Sequence, residues 1–476
     1  MGLGLYGVAL CALARVYCMT MRTLRSLSSP TVWLAAICLL FVLLALPGFR
    51  YPIVSDTIIY ALTGESMWTH GQYVLLGQPY AKHMPLHGVL SYPLVSVLGY
   101  QIGMKLSALL AGCGVLVVTY ALLKRCFRVG VALLSVALLA IHHGFLFTVV
   151  TAGSDPLFTM LFLLAVLLFA KAEHDERWYL GTGVALGLAC LTRYNGAPLF
   201  PVFLLVVALQ RRKHLRSAWF WGGMGVGAAL FGLWFARNAL TFGNPFATEY
   251  TGELAERSSG FLAQVWANTL FYANPLHNVL LLFPFALYGI VRQGRKQMLL
   301  LLSMLSAWAL TSFWYVPGMR FAMAGYPILI GFGVWGLLDL LCSVPRLRTV
   351  LISLIFLVHI AALSLYAFGS VNAFFDRTLG WLPKDLGLSS EGFYSWDQAR
   401  DFVNANAQTG ATVHVDVLRA HAWNGQGIFR CDLHLRADTQ GACPVYAIRR
   451  TVREGDEVLY RTPDAPQELV LLEPCP

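Results

Sequence analysis

The sequence has little charge. Asp, Glu, Lys and Arg make up only 12% of its 476 residues, whereas about 25% is usual in a soluble domain. Hydrophobic residues make up 57%. This composition excludes a soluble enzyme and favours a chain that crosses a membrane many times. The net charge of +10 does not indicate nucleic acid, because Lys and Arg form short clusters between apolar runs, as membrane topology signals do.

Metal-binding and redox motifs are also missing. The ten cysteines form no CxxC pair, and no Cys or His run has zinc-ligand spacing. His83 and His87 are four residues apart, but Pro85 between them disfavours one continuous helix that carries both. The sequence therefore predicts no cofactor with certainty, and a divalent metal is left open without being favoured.

The apolar runs predict about eleven membrane-spanning helices, since a span needs about 20 mainly apolar residues. The shortest candidates lie between 157 and 210. The predicted spans are 31–47, 104–123, 130–150, 157–171, 179–193, 196–210, 218–236, 276–291, 298–316, 322–342 and 348–368.

Basic clusters predict which way these spans face. Clusters such as 124–128, 211–216 and 292–296 fall at every second connection, so all lie on one face, which the positive-inside rule makes cytoplasmic. The other face receives the 48–103 loop. Long loops without obvious regular structure are usually functional or disordered, and this one is too apolar for disorder. We therefore predict an active-site loop that carries Asp56.

The outer face also receives Asp155, Arg193, Arg237 and Arg320. Ionisable residues at span ends are costly and tend to mark function. Simpler interpretations remain open, because Arg237 and Arg320 fit snorkelling to the interface, and Asp56 and Asp155 fit helix capping. The convergence of several such residues on one face favours an anionic ligand.

The character of the chain changes near residue 371, where charge returns and apolar runs shorten. One amphipathic helix and several strand-like runs follow, which predicts a small α/β module. We therefore divide the chain into a transmembrane domain at 1–370 and an outer module at 371–476. Cys431 and Cys443 are a candidate disulfide pair that would leave Cys475 over, and free cysteines are the alternative.

A set of motifs follows in order along the predicted outer face. They are Asp56, Tyr60, GQY at 71–73, PYAKHMPLHG at 79–88, Asp155 in SDPLF, LTRYNG, RNxxxFGNP from Arg237 to Pro245, and Arg320. In this order they resemble the glycosyltransferase C superfamily, in the branch of the protein O-mannosyltransferases and the lipid A aminoarabinose transferase. The resemblance covers residues 31–368. It departs from the branch at Thr57, where an Asp-Glu pair is common, and at His83 and Met84, which interrupt the usual Lys-Pro-Pro.

The resemblance implies that a sugar is transferred from a polyprenyl-phosphate donor to an acceptor outside the cytoplasm. A carboxylate must then accept or orient the acceptor's proton, and cations must stabilise the leaving phosphate. The candidates are Asp56 and Asp155 as catalytic residues; Lys82, Arg237 and Arg320 as donor phosphate ligands; and Tyr60, Tyr80, His83, Arg193 and Asn238 as substrate-binding residues.

Two other functions remain open. One is a polytopic transporter or flippase, and the other is a non-catalytic protein that binds polyprenyl lipid. Transporters often show internal repeats, and the 48–100 segment has no convincing repeat in the second half. We therefore favour the glycosyltransferase, in the inner (plasma) membrane with its site on the periplasmic side. Its expected partners are the lipid bilayer, a polyprenyl-phosphate-sugar and an unknown glycan acceptor.

Overall fold

The computed structural model describes residues 29–50, 53, 56–250, 260–314, 317–367, 393–415, 419–420, 428–436, 444–449, 452–462 and 469–473. The predictions for the pairing of Cys443 and the state of Cys475 lie outside these ranges.

Helices account for most of the described chain up to residue 367. Several begin where the sequence places proline in the first turn, as at Pro30, Pro156 and Pro327, a position that needs no amide hydrogen. The helices of this part are α1 Pro30–Ala45, α2 Asp56–His70, α3 Leu86–Cys126, α4 Val129–Ala140, α5 His143–Val150, α6 Asp155–Lys171, α7 Trp178–Thr192, α8 Leu199–Gln210, α9 Ala218–Phe242, α10 Phe261–Ala273, α11 Phe283–Gln293, α12 Met298–Ser312, α13 Tyr326–Leu340 and α14 Pro345–Ala367.

Helices lie at all eleven predicted span positions, but their lengths differ. Within the described residues, five helices are long and apolar enough to cross a membrane, or six if α4 and α5, which meet at 57°, form one broken span. Helices α7, α8, α11 and α12 are apolar and shorter. The polytopic helical fold is thus confirmed, and the number of eleven spans stays a prediction.

The predicted loop at 48–103 is largely helical. It contains α2, a hairpin of β1 (Val74–Leu75) and β2 (Gln78–Pro79), and the first part of α3. Helix α3 breaks at Gly99, whose φ of 77° suits glycine. The chain reverses at Gly99. This is shown by Ser91 Oγ, which donates to Ser107 Oγ at 2.8 Å although the two residues are 16 positions apart in the sequence. Residues 86–98 therefore fold back along the outer part of the following helix.

Helix α2 packs closely against this folded-back segment. A Cβ on Gly64 would lie 2.3 Å from the carbonyl oxygen of Gly88, so neither position has room for a side chain. Trp68 Nε1 also donates to the Val89 carbonyl at 2.8 Å. The glycine contact fixes the start of α2, and with it Asp56, relative to α3.

The C-terminal part contains α15 (Phe393–Asn406) and a five-stranded sheet. The strand order is β4-β3-β5-β7-β6, with β3 parallel to β4 and β5, and with β7 antiparallel to β5 and β6. One buried apolar cluster includes residues of α2, α3 and this sheet. The division at residue 370 stays a prediction. The strands are β3 Thr412–His414, β4 His434–Arg436, β5 Val445–Arg449, β6 Glu457–Arg461 and β7 Leu469–Glu473.

Candidate active site

A cavity of about 450 Å³ lies among connections that the basic clusters assign to the outer face. Its walls come from the start of α2, the segment before α3, the end of α7, the segment after α9, and both sides of the connection after α12. Clefts of this size, apolar with a few convergent polar groups, are typical ligand sites. The lining includes Asp56, Tyr60, Lys82, His83, Met84, Arg193, Tyr194, Thr248, Tyr250, Phe261, Phe313, Trp314, Arg320 and Phe321.

Asp56 is the one carboxylate that the described residues contribute to this lining. Its Oδ2 lies 3.4 Å from Arg320 Nη2, and its Oδ1 lies 3.7 Å from His83 Nε2. Burial raises the pKa of Asp56, but the nearby positive charges, Arg320 first, outweigh it and hold the pKa below the ordinary value for Asp. Asp56 is therefore ionised at neutral pH and faces the cavity, with its side chain 35% exposed.

His83 is the buried neighbour of Asp56. Burial lowers the pKa of His83 to about 4, although the Asp56 charge acts in the opposite direction. The imidazole is thus neutral at pH 7. Its Nδ1 is hydrogen-bonded to the hydroxyl of Tyr80, whose pKa burial raises above its ordinary value. In the tautomer with hydrogen on Nε2, Tyr80 donates to Nδ1 and the Nε2 hydrogen faces Asp56.

Asp155 lies behind the cavity wall and not on it. Its Oδ1 pairs with Arg193 Nη1 at 2.9 Å, and only 5% of its side chain is exposed. Arg193 Nη1 also donates to Ser154 Oγ at 3.1 Å, and that hydroxyl is 2.9 Å from the Tyr60 hydroxyl. This placement suits a residue that holds Arg193 on the lining better than a second catalytic base.

Arg237 and Asn238 lie outside the lining. Arg237 donates to the carbonyls of Tyr73, at 2.7 Å, and Tyr80, at 2.8 Å, on either side of the β1–β2 hairpin. Asn238 accepts from Arg237 at 2.9 Å and donates to the Ala247 carbonyl at 3.2 Å. These contacts place Arg237 as a support of the hairpin, not beside the predicted phosphate.

Several aromatic residues on the lining were missed from the sequence, and Tyr250 and Trp314 are two of them. The rings of Tyr250 and Trp314 meet edge to face with their centroids 5.0 Å apart, and Lys82 Nζ lies 5.5 Å above the Tyr250 ring. Tyr250 follows the predicted span 218–236 on the outer face, which is the available sequence signal, whereas Trp314 lies near the end of the predicted span 298–316. Among the described residues, no group of three or more His, Cys, Asp or Glu side chains is arranged to hold a metal ion.

Comparison with solved structures identifies the fold. ArnT from Cupriavidus metallidurans bound to undecaprenyl phosphate matches with a TM-score of 0.57 at 13% identity, over 93% of this chain and 97% of that chain. Its apo state matches with a TM-score of 0.58, also at 13% identity, over 93% and 98% of the two chains. This chain has the glycosyltransferase C fold.

Further comparisons agree with this fold. The oligosaccharyltransferase of Archaeoglobus fulgidus matches with a TM-score of 0.51 at 13% identity, over 85% of this chain and 62% of that chain. The family model described as dolichyl-phosphate-mannose-protein mannosyltransferase matches residues 94–235. No curated protein matches the sequence. The fold that the resemblance implied is thus confirmed, and so is the membrane location.

Proposed function

We propose that this chain is an integral-membrane glycosyltransferase, which moves a sugar from a polyprenyl-phosphate donor to an acceptor outside the cytoplasm. The observation that carries the proposal is the cavity in a glycosyltransferase C fold, where the ionised carboxylate of Asp56 lies beside Arg320 and faces the interior. The bound undecaprenyl phosphate of the similar ArnT structure supports a donor of this class.

The donor phosphate is held by the cations on the lining. Lys82, Arg193 and Arg320 all border the cavity, and fixed cations stabilise the charge that develops on a leaving phosphate. Arg237 does not join them, because both of its terminal nitrogens are engaged by the hairpin carbonyls. Arg193 therefore takes the place in the phosphate site that the sequence analysis gave to Arg237.

Asp56 acts on the acceptor. The acceptor oxygen attacks the anomeric carbon, the bond from that carbon to the phosphate oxygen breaks, and the polyprenyl phosphate leaves with the electron pair. The hydroxyl proton passes to Asp56, whose carboxylate is ionised and open to the cavity. Such general-base assistance contributes roughly 10²–10⁴-fold.

The proposed location is the inner (plasma) membrane, with the site on the periplasmic side. The basic clusters support this orientation, because they lie at the connections opposite the cavity. In this orientation the module at 371–476 also lies outside the cytoplasm. The acceptor on that side can be a protein, a lipid or a polysaccharide.

Asp56→Asn tests the proposal. Membranes that carry wild type or variant receive a panel of polyprenyl-phosphate sugars, and released polyprenyl phosphate is quantified by lipid mass spectrometry. We expect release with one sugar in wild type and a loss of about 100-fold or more in the variant. The matched control is Glu65→Gln, which removes another α2 carboxylate, one that accepts from Tyr100 instead of lining the cavity.

Equal release from wild type and Asp56→Asn would exclude Asp56 as the base. No release from wild type with any donor, with native acceptors present, would favour the flippase or lipid-binding alternative.

A further inference from the structure

The turn that joins α5 to α6 is held by side chains from two other helices. Three successive carbonyls, those of residues 150, 151 and 152, each accept a hydrogen bond from a different residue. Lys105 Nζ donates to the first at 3.1 Å, Thr57 Oγ1 to the second at 2.7 Å and His87 Nε2 to the third at 3.1 Å. We call residues 150–152 the clamped turn.

The backbone of the clamped turn needs this support. Carbonyls at the end of a helix such as α5 lack partners within the helix, and a buried carbonyl without a partner is costly. Ala152 is fully buried and has a φ of 57°, a left-handed conformation that is uncommon for a residue with a side chain. Such a conformation persists only where the surroundings enforce it.

Two of the three donors are expensive to bury. Lys105 is completely buried, and its second hydrogen bond goes to another carbonyl, that of Gly48, at 2.6 Å. His87 is 1% exposed, and its Nδ1 has no hydrogen-bond partner among the described residues. Apolar side chains at these two positions would fill the space without the cost of burying polar groups. The presence of Lys105 and His87 is therefore better explained by their hydrogen bonds to the turn than by packing.

The clamped turn leads directly into the cavity wall. Two and three residues after it, Ser154 and Asp155 hold the guanidinium of Arg193 at 3.1 and 2.9 Å. The hydroxyl of Ser154 also contacts Tyr60, another lining residue. The position of Arg193 on the cavity lining therefore depends on the turn.

We propose that Thr57, His87 and Lys105 are positioning residues, which act through the clamped turn and Asp155 to aim Arg193 at the anionic group of the donor. The inference rests on the proposed function. It gives the hydroxyl of Thr57, which donates to the Thr151 carbonyl, a role in placing the turn.

Thr57→Val is the most direct test, because it removes the hydroxyl and keeps the shape. We expect kcat/KM for polyprenyl phosphate release to fall about tenfold, since a misplaced binding group costs transition-state stabilisation. Thr57→Ser keeps the donor and should restore at least half of the wild-type value. The matched control is Thr148→Val, which removes a buried hydroxyl that bonds only within α5, to Phe145, and should leave kcat/KM unchanged.

A double-mutant cycle separates positioning from a general loss of stability. If the clamp acts through Arg193, Thr57→Val lowers kcat/KM in the wild-type background and has no further effect in the Arg193→Ala background. An equal fall in both backgrounds, or no fall in either, overturns the proposal. Should Thr57→Val fail to fold, His87→Leu and His87→Gln form the replacement pair, since Gln keeps a donor for the third carbonyl.

A binding measurement keeps this test apart from that of the proposed function. Wild-type protein without transfer activity would contradict the glycosyltransferase, but the affinity for polyprenyl phosphate could still be measured in the same four proteins of the cycle. A weaker affinity in Thr57→Val that disappears in the Arg193→Ala background supports the clamp. An unchanged affinity excludes it.

Discussion

Asp56 and Arg320 lie 264 positions apart in the chain and meet at the cavity. The sequence predicted both on the outer face, since each follows an apolar run on the side away from the basic clusters. The side-chain contacts of such residues were harder to predict. Asp155 and Arg237 were correctly placed near span ends, but a one-dimensional pattern does not show that Asp155 faces Arg193 or that Arg237 reaches two carbonyls of the hairpin.

The charge of Arg320 sets the pH dependence expected at the site. Arg320 is the largest of the influences that lower the pKa of Asp56, while burial raises it. Arg320→Gln removes the largest of the lowering influences, so the pKa of Asp56 rises and the carboxylate is protonated at a higher pH. We expect the acidic limb of the kcat/KM profile to move to higher pH.

The pH profile of wild type supplies the comparison. The pKa of His83 is about 4, and that of Asp56 lies below its ordinary value. Above about pH 5, His83 is therefore neutral and Asp56 is ionised. Activity should then be level from that pH to neutral pH. An acidic limb at the same pH in wild type and Arg320→Gln would show that Arg320 does not control Asp56.

At the scale of elements, the main surprise is the segment at 48–103. Its composition favoured a functional region, and Asp56, Lys82 and His83 from it do line the cavity. Its regular structure was missed because no long amphipathic period marks α2 or the start of α3. Gly99 explains the error at α3. Apolar residues predominate through 86–126 on both sides of Gly99. The reversal depends on this one residue with a positive φ, which pattern alone does not distinguish from other glycines.

The contact of α2 with α3 should be sensitive to one methyl group. Gly64→Ala would place a Cβ 2.3 Å from the Gly88 carbonyl, and forced separation of packed backbones costs about 1–3 kcal/mol. We expect a lower melting temperature of the detergent-solubilised protein and reduced activity, since Asp56 begins the same helix. Gly130→Ala, in α4 with open space around it, is the control and should not destabilise. Equal melting temperatures for the two variants would contradict the close contact.

The hairpin should depend on Arg237. Arg237→Gln removes charge-assisted hydrogen bonds to the carbonyls of Tyr73 and Tyr80, each worth about 1.5–3 kcal/mol. We expect faster proteolysis within 71–79 and lower activity, because Tyr80 contacts His83. Limited proteolysis with mass spectrometry checks this result. Reduced donor affinity with unchanged proteolysis would instead return Arg237 to the phosphate role predicted from the sequence.

For the whole molecule, composition and charge clusters predicted the class, the approximate helix positions and the side on which polar residues gather. The lengths of the helices and the positions of their breaks were harder to predict from the sequence. The break between α4 and α5 falls beside His142, whose side chain accepts from the Phe145 amide and caps α5. A capping histidine inside an apolar run resembles an ordinary buried residue in the sequence, so one continuous span was predicted at 130–150.

Orientation in the membrane can be measured directly. Gln78 lies exposed in the β1–β2 hairpin, and His174 lies exposed between α6 and α7, on the side of the basic clusters. In intact cells, a membrane-impermeant maleimide should label Gln78→Cys and leave His174→Cys at the level of the parent protein. Both should react after the membrane is permeabilised. Labelling of His174→Cys alone in intact cells would reverse the proposed orientation.

The pairing of Arg320 with Asp56 has a consequence for the order in which substrates arrive. While Arg320 faces the carboxylate, the pKa of Asp56 is low and the carboxylate is a weak base. A donor phosphate that neutralises Arg320 raises that pKa and strengthens the base. In a glycosyltransferase of the proposed kind, a hydroxyl that enters before the donor therefore meets a poorly activating carboxylate. The enzyme becomes competent only after the lipid-linked sugar has bound, which favours sequential kinetics with the donor first.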